Sequence, residues 1–168
     1  MRLTSWTDYT LRVLMYCAAS EGRAQPVTIS EIAQAHGISR SHLTKIVVDL
    51  SNQGLLETTR GRGGGLRLLK PARDIVLGDV VRATESDFTM VECFDPGINQ
   101  CRLSGNCGLK SVLHRAMQAY FAVLDGVTLA DMLTLPPALT PLAGIPLMPL
   151  RPGLPAPPDT AEVDPATL

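Results

Sequence analysis

The segment from Glu92 to Lys110 carries three of the chain's four cysteines, Cys93, Cys101 and Cys107, with seven and then five residues between them. Inside it lie two turn-forming triplets, Asp95-Pro96-Gly97 and Ser104-Gly105-Asn106. Proline fixes φ, and Gly or Asn accepts positive φ, so no single helix or strand runs through both. The segment is therefore a loop that brings three sulfurs together. Ordering a long irregular loop costs roughly 1–2 kcal/mol per residue, and a bound metal centre is one source of that free energy.

Four readings of the cysteines are distinguishable. Disulfides are disfavoured, because no cleaved-signal pattern is present, an odd thiol would be left over, and cytosolic thiols stay reduced. Structural zinc would use three thiolates and one further ligand, but the tight Cys-x-x-Cys knuckle of such sites is missing. The spacing suits an iron–sulfur cluster held by soft thiolates, with a fourth ligand from elsewhere. Three free cysteines in a flexible loop complete the set. Spacing alone leaves cluster, zinc and free thiols open.

A chain of 168 residues allows one ordinary domain, or a small domain with appendages. Its net charge of −1 carries no global nucleic-acid signature. The charge is uneven, however: Arg40, Lys45, Arg60, Arg62, Arg67 and Lys70 face only Asp49 and Glu57 in their stretch, a local basic patch. The N-terminus lacks a basic-then-apolar signal pattern, and no uncharged apolar run reaches membrane-spanning length. A soluble, cytoplasmic chain is expected.

Taken in order, Ser5 and Asp8 read as a capping box opening a first helix. Tyr9, Val13, Tyr16 and Cys17 follow at helical spacing, with Leu11 and Leu14 broadening the face, and Gly22 ends it. Cys17 reads as a small core hydrophobe. Thr28-Ile29-Ser30-Glu31 is a second capping box, opening a helix from Ile29 to His36 that stops at Gly37. Ser39 caps a longer helix to about Gln53, whose buried face is Leu43, Ile46, Val47 and Leu50. Helix, Gly-containing turn, helix is the pattern of a helix-turn-helix. Arg40, Ser41, His42, Thr44 and Lys45 crowd the N-terminal turns that would enter a DNA major groove.

After Gly54, Leu55–Thr59 and Leu66–Leu69 read as strands around the tip Arg60-Gly61-Arg62-Gly63-Gly64-Gly65. This hairpin is a wing. Its glycines let backbone approach a phosphate or a narrow minor groove, and Arg60 and Arg62 supply charge. A nucleotide P-loop is excluded, because the Gly-Lys-Ser/Thr ending is absent. The residues expected to meet DNA are Thr28, Ser39, Arg40, Ser41, His42, Lys45, Arg60, Arg62, Gly63 and Gly64. An enzyme is not expected: no Ser-His-Asp or Cys-His set stands out, and His36, His42 and His114 are isolated.

Pro71 to Glu85 gives a short link and a further helix. Beyond Cys107, Leu109, Val112, Leu113, Ala116, Met117, Tyr120 and Leu124 recur at helical spacing, an amphipathic helix for a core or a dimer seam. Thr128 and Asp131 cap a last short helical turn. Ten of the chain's thirteen prolines fall after residue 135, predicting an extended or disordered tail. The expected fold is mainly α with a small β wing: a winged helix-turn-helix domain over 1–83, a cysteine-rich cluster-binding loop and long dimerisation helix over 84–134, and the Pro-rich tail over 135–168.

Taken together, the opening Met1-Arg-Leu-Thr-Ser-Trp-Thr-Asp-Tyr9, the helix-turn-helix, Arg60-Gly-Arg-Gly-Gly-Gly-Leu66, the cysteine loop and Thr128-Leu-Ala-Asp-Met-Leu133 resemble the NsrR, IscR and RirA group of bacterial iron–sulfur winged-helix repressors. The likeness covers roughly residues 1–134. It implies a homodimer on operator DNA, with the helix after Cys107 crossing to the partner. It also implies an iron–sulfur cluster on Cys93, Cys101 and Cys107. In the IscR type a His three residues after the last cysteine is the fourth ligand; here Lys110 stands there, which argues against that subtype and its 2Fe–2S centre. In the NsrR type the fourth ligand resembles Asp8, supplied by the partner subunit. That subtype implies a 4Fe–4S cluster, nitric oxide as the signal, and release of DNA on nitrosylation. An iron-responsive, RirA-like regulator is the alternative. His114, two turns beyond Cys107, is a lesser ligand candidate.

Overall fold

A computed structural model describes residues 2–103 and 105–134 of the chain. The Pro-rich tail expected after residue 135 lies outside the described residues. Helix α1 (Ser5–Ala19) is capped by Thr4, whose hydroxyl accepts from the Thr7 N–H at 3.3 Å. This corrects the expected Ser5/Asp8 box. Asp8 instead accepts two hydrogen bonds from Arg12, one turn on, at 3.0 and 2.8 Å. The helix stops at Ala19, and Gly22 takes positive φ in the turn beyond. Its inner face buries Val13, Leu14 and Cys17, with Thr7 and Thr10 beside them. Cys17 is core, as expected, and burial pushes its thiol up to about 12.

Helix α2 (Ile29–His36) opens on the predicted capping box: Thr28 accepts from Glu31 N–H, and the Glu31 carboxylate accepts from Thr28 N–H. Gly37 ends it at φ 65°, a left-handed conformation that costs Gly little. Ser39 caps α3 (Arg40–Asn52), and Leu43, Ile46, Val47 and Leu50 form its buried face. Strands β1 (Leu56–Thr59) and β2 (Gly65–Leu68) pair antiparallel, with Leu56 opposite Leu68 and Thr59 opposite Gly65. On the far side of β2, Val27 exchanges both backbone hydrogen bonds with Leu66. Arg67 donates to the carbonyls of Arg23 and Ala24 at 2.8–3.2 Å. One cation of the basic stretch thus fastens the wing to the turn before α2.

A 3-10 turn (Ala72–Asp74) leads into α4 (Leu77–Thr84), and a second (Glu92–Phe94) lies at the first loop cysteine. Helix α5 (Gly108–Asp125) follows the loop, and α6 (Leu129–Thr134) returns to the core, where Leu129 is fully buried. The Leu77 N–H donates to Val127 and the Leu129 N–H to Ile75, which splices the return onto the start of α4. Thr128 and Asp131 form the expected cap. No residue of α5 is buried; Leu109 is 63% exposed and Val112 55%. Its C-terminal end docks on α4. Arg82 donates twice to Asp125, at 2.6 and 2.7 Å, and its guanidinium lies 4.3 Å from the centre of the Phe121 ring. Phe88 meets Phe121 edge-on at 4.9 Å.

Arg82 holds the Asp125 carboxyl below its ordinary value of 3.8. A carboxylate depressed in the folded state contributes stability above its unfolded pKa and loses it as pH falls through the folded one. Acidification below about pH 3.8 should therefore raise hydrogen exchange at the α4–α5 junction. Asp125→Asn should show the faster exchange already at neutral pH, and the acid step should disappear.

Candidate functional site

Helix α3 and the wing enclose an open hollow lined by Thr28, Arg40, Thr44, Val48, Thr59 and Arg60, among others. Of the sequence-predicted DNA residues, Thr28, Arg40, Arg60 and Gly64 line it. Arg40, Ser41, His42 and Lys45 are exposed on α3, and Arg60, Arg62 and Gly63 on the wing tip. Among the described residues, Arg40, Lys45, Arg60 and Arg62 have no ion-pair partner. Uncompensated cations on α3 and on the wing suit a polyanion. Thr28 and Ser39 spend their side-chain oxygens on the caps of α2 and α3. They hold those helix N-termini at the rim.

The wing glycines have a reason inside the chain. Gly61 and Gly63 sit at φ 96° and 82°, and a Cβ on Gly64 would collide with the Thr59 carbonyl. The tip needs them to close at all, before any phosphate approaches.

Helix α1 touches this interface through aromatic contacts. The Arg12 guanidinium is 6.0 Å from the centre of the Tyr9 ring, and that ring is 6.4 Å from the His42 ring in the first turn of α3. Arg12 is held above its ordinary pKa by the hydrogen bond to Asp8. Sequence reasoning missed Arg12, although its i, i+4 spacing from Asp8 marked the pair. At the N-cap of α1, the Thr4 N–H and hydroxyl both donate to Glu85, the C-cap of α4, at 2.7 and 3.2 Å.

Cys93, Cys101 and Cys107 are free thiols, half-buried, outside the core. Cys93 lies in the 3-10 turn and Cys107 is the N-cap of α5, where the helix dipole favours negative charge. Asp95 accepts from Gly97 N–H, and Asn99 accepts from Cys101 N–H at 3.0 Å. The Glu92 carboxylate accepts from Gln100 N–H and so folds the chain at Cys93 back to the chain at Cys101. Phe94 meets the His114 ring at 6.1 Å, tying that turn to α5. Beside Cys107 a shallow hollow is lined by Asn106, Lys110, Ser111 and His114.

Among the described residues, no three His, Cys, Asp or Glu side chains converge on a single point. The three cysteines share one loop without their sulfurs meeting, and Asp8 lies on α1 engaged by Arg12. The donor set nevertheless fits a soft-metal centre: three unbridged thiols, free of the core, in a segment held by short turns and one Glu92–Gln100 bond.

A helix-turn-helix with a Gly/Arg wing beside it and a basic rim between them defines a winged-helix DNA-binding regulator. A profile of the Rrf2 family, described as an iron-dependent transcriptional regulator, matches residues 3–135. The HTH-type transcriptional regulator NsrR of Bacillus subtilis (strain 168) is 51% identical over 132 residues, 79% of this chain and 90% of that one. Of solved structures, T. potens IscR matches with a TM-score of 0.63 at 28% identity, covering 80% of this chain and 87% of that one. CymR (YrzC), the global cysteine regulator of B. subtilis, matches with 0.64 at 26%, covering 80% and 97%. The chain belongs to the Rrf2 family: it is a DNA-binding transcriptional regulator, not an enzyme. No described helix is long and apolar enough to cross a membrane.

Two substitutions test the rim. Gly64→Ala, clashing with backbone that cannot yield, should cost about 1–3 kcal/mol in a urea melt and weaken DNA binding. Arg60→Ala should weaken binding to all duplexes alike and lower the slope of log affinity against log salt by about one. An unchanged slope would remove Arg60 from the interface.

Proposed function

We propose that this chain is a homodimeric repressor that holds a 4Fe–4S cluster on Cys93, Cys101 and Cys107 and releases operator DNA in response to nitric oxide. The partner subunit's Asp8 is the fourth ligand in this reading. The observation that carries it is the set of three unbridged, half-buried thiols in a chain half identical to a regulator named NsrR. The fold alone does not choose the signal, since a regulator named for cysteine shares it. Lys110, where the IscR type has His, favours the NsrR type. When bound, the cluster supplies an iron centre with affinity for nitric oxide.

The chain's own residues supply the coupling. Thr4 bonds the start of α1 to Glu85 at the end of α4, where the chain leaves for the cysteine segment, so a rearranged loop pulls on α1. Helix α1 packs on α3, and Tyr9 touches His42 at the DNA rim. Two rigid helix-turn-helix units whose separation shifts no longer match two half-sites. The exposed apolar residues of α5, Leu109 and Val112, suit a second copy. DNA contact is assigned to Thr28, Ser39, Arg40, Ser41, His42, Lys45, Arg60, Arg62, Gly63 and Gly64. The second reading, an iron-responsive regulator, draws on the family's description as iron-dependent.

The test is an anaerobic iron, sulfide and absorbance assay, titrated with nitric oxide while DNA binding is followed. The proposal predicts about four irons and four sulfides per chain, bleaching, and loss of binding together. Cys101→Ala should be colourless with an unchanged fold by circular dichroism. A nitric-oxide-tolerant chromophore lost on chelation would select the iron-responsive regulator, and a colourless zinc protein would overturn both.

A further inference from the structure

We propose that the γ-methyl of Thr44 and the methyls of Val48 form an apolar strip on α3 that reads thymine C5-methyl groups in the operator's major groove. The proposal rests on the assignment as a DNA-binding regulator, whichever signal the protein answers. Val48 is 55% exposed, whereas Leu43, Ile46, Val47 and Leu50 on the same helix are buried. It does not serve the core. It lines the hollow shared with the wing, on one stripe with Thr44 and Arg40 at i, i−4 and i−8.

Thr44 also lines that hollow, and its one hydroxyl proton is already committed. Its hydroxyl donates to the Arg40 carbonyl at 2.8 Å, within the helix, which leaves its γ-methyl as the group available to a ligand. Neither residue can therefore make the paired hydrogen bonds by which an amide or guanidinium reads adenine or guanine. The thymine methyl is the apolar feature of the major-groove edges, and the minor groove has no counterpart. Arg40 heads the stripe and Arg60 faces it across the hollow, so the flanking charge suits phosphates on either side. Charge complementarity with an apolar centre selects duplex DNA as the occupant.

The experiment selects duplexes from a random-sequence library with the full-length protein, purified and kept anaerobically with its iron–sulfur content verified. Each thymine of the selected site is then replaced by 2′-deoxyuridine, which lacks only the methyl, and affinity is read by fluorescence anisotropy. Wild type should lose about fourfold in affinity at one or two thymines per half-site, the factor for one buried methyl. Val48→Ala should bind the parent site more weakly by at least that factor and be indifferent to uracil at its thymine. Thr44→Ser keeps the hydroxyl bond and removes only the methyl, so it should show the same indifference with an unchanged melt. Losses that simply add, or a Val48→Ala protein that binds like wild type, overturn the methyl reading, the latter leaving the strip to a protein partner. A protein that selects no duplex at all would instead remove the assignment as a DNA reader, and this proposal with it.

Discussion

Burial of Leu14, Leu43, Ile46, Leu50 and Leu129 in one core fixes the rest of the molecule. Each contributes about 1.5–3 kcal/mol when fully buried, so together they outweigh every exposed ion pair described here. Four of them belong to α1 and α3, but Leu129 belongs to the last described helix. Its burial forces the chain to come back after α5, and the backbone bonds between Leu77 and Val127 and between Ile75 and Leu129 close that return. The cysteine segment and α5 are consequently an excursion with both ends anchored in the DNA-reading domain. A change inside the excursion has two fixed points to act on, Glu85 at its start and the Arg82–Asp125 junction near its end.

The local pieces of this arrangement were legible in the sequence, because caps and turns are written in single residues. Thr28/Glu31, Ser39, Gly37 and Thr128/Asp131 each act where their spacing placed them. The first helix was misjudged because Thr4 and Ser5 are both competent caps. Moving the cap by one residue releases Asp8 to Arg12. Leu129 could not be assigned to the core, since burial across more than a hundred residues leaves no local signature. The basic rim was legible from charge, yet Arg67 in the same run proved to be a fastener, because backbone carbonyls within its reach are invisible to a charge count. The three cysteines were legible as a donor set. The expected meeting of their sulfurs is not seen among the described residues, where local contacts order the loop piecewise.

A net charge of −1 is compatible with a DNA reader because fields at a protein surface are local. Screening limits a charge to roughly 8–10 Å at physiological salt, so what DNA meets is the rim and not the sum. Among the described residues, Arg40, Lys45, Arg60 and Arg62 are unpaired on α3 and the wing, while Arg12, Arg23 and Arg82 elsewhere are each matched to a carboxylate. Arg12, Arg23 and Arg82 thus add little net charge where they stand, while four unpaired cations lie on α3 and the wing.

The Asp8–Arg12 pair shows how such matching can serve position over stability. Both side chains are more than 40% exposed, a setting in which an ion pair adds little to folding. Its bidentate geometry nevertheless sets the direction of the Asp8 carboxylate and lays the guanidinium near Tyr9, whose ring meets His42 on α3. Any group that competed with Arg12 for Asp8 would free the guanidinium and alter what Tyr9 packs against. The contact path from α1 to the DNA rim is thus three side chains long. It carries information only to the extent that its two arrangements differ in energy. A pair worth little to stability is well suited to that role, since breaking it does not threaten the fold that Leu14 and Leu129 maintain.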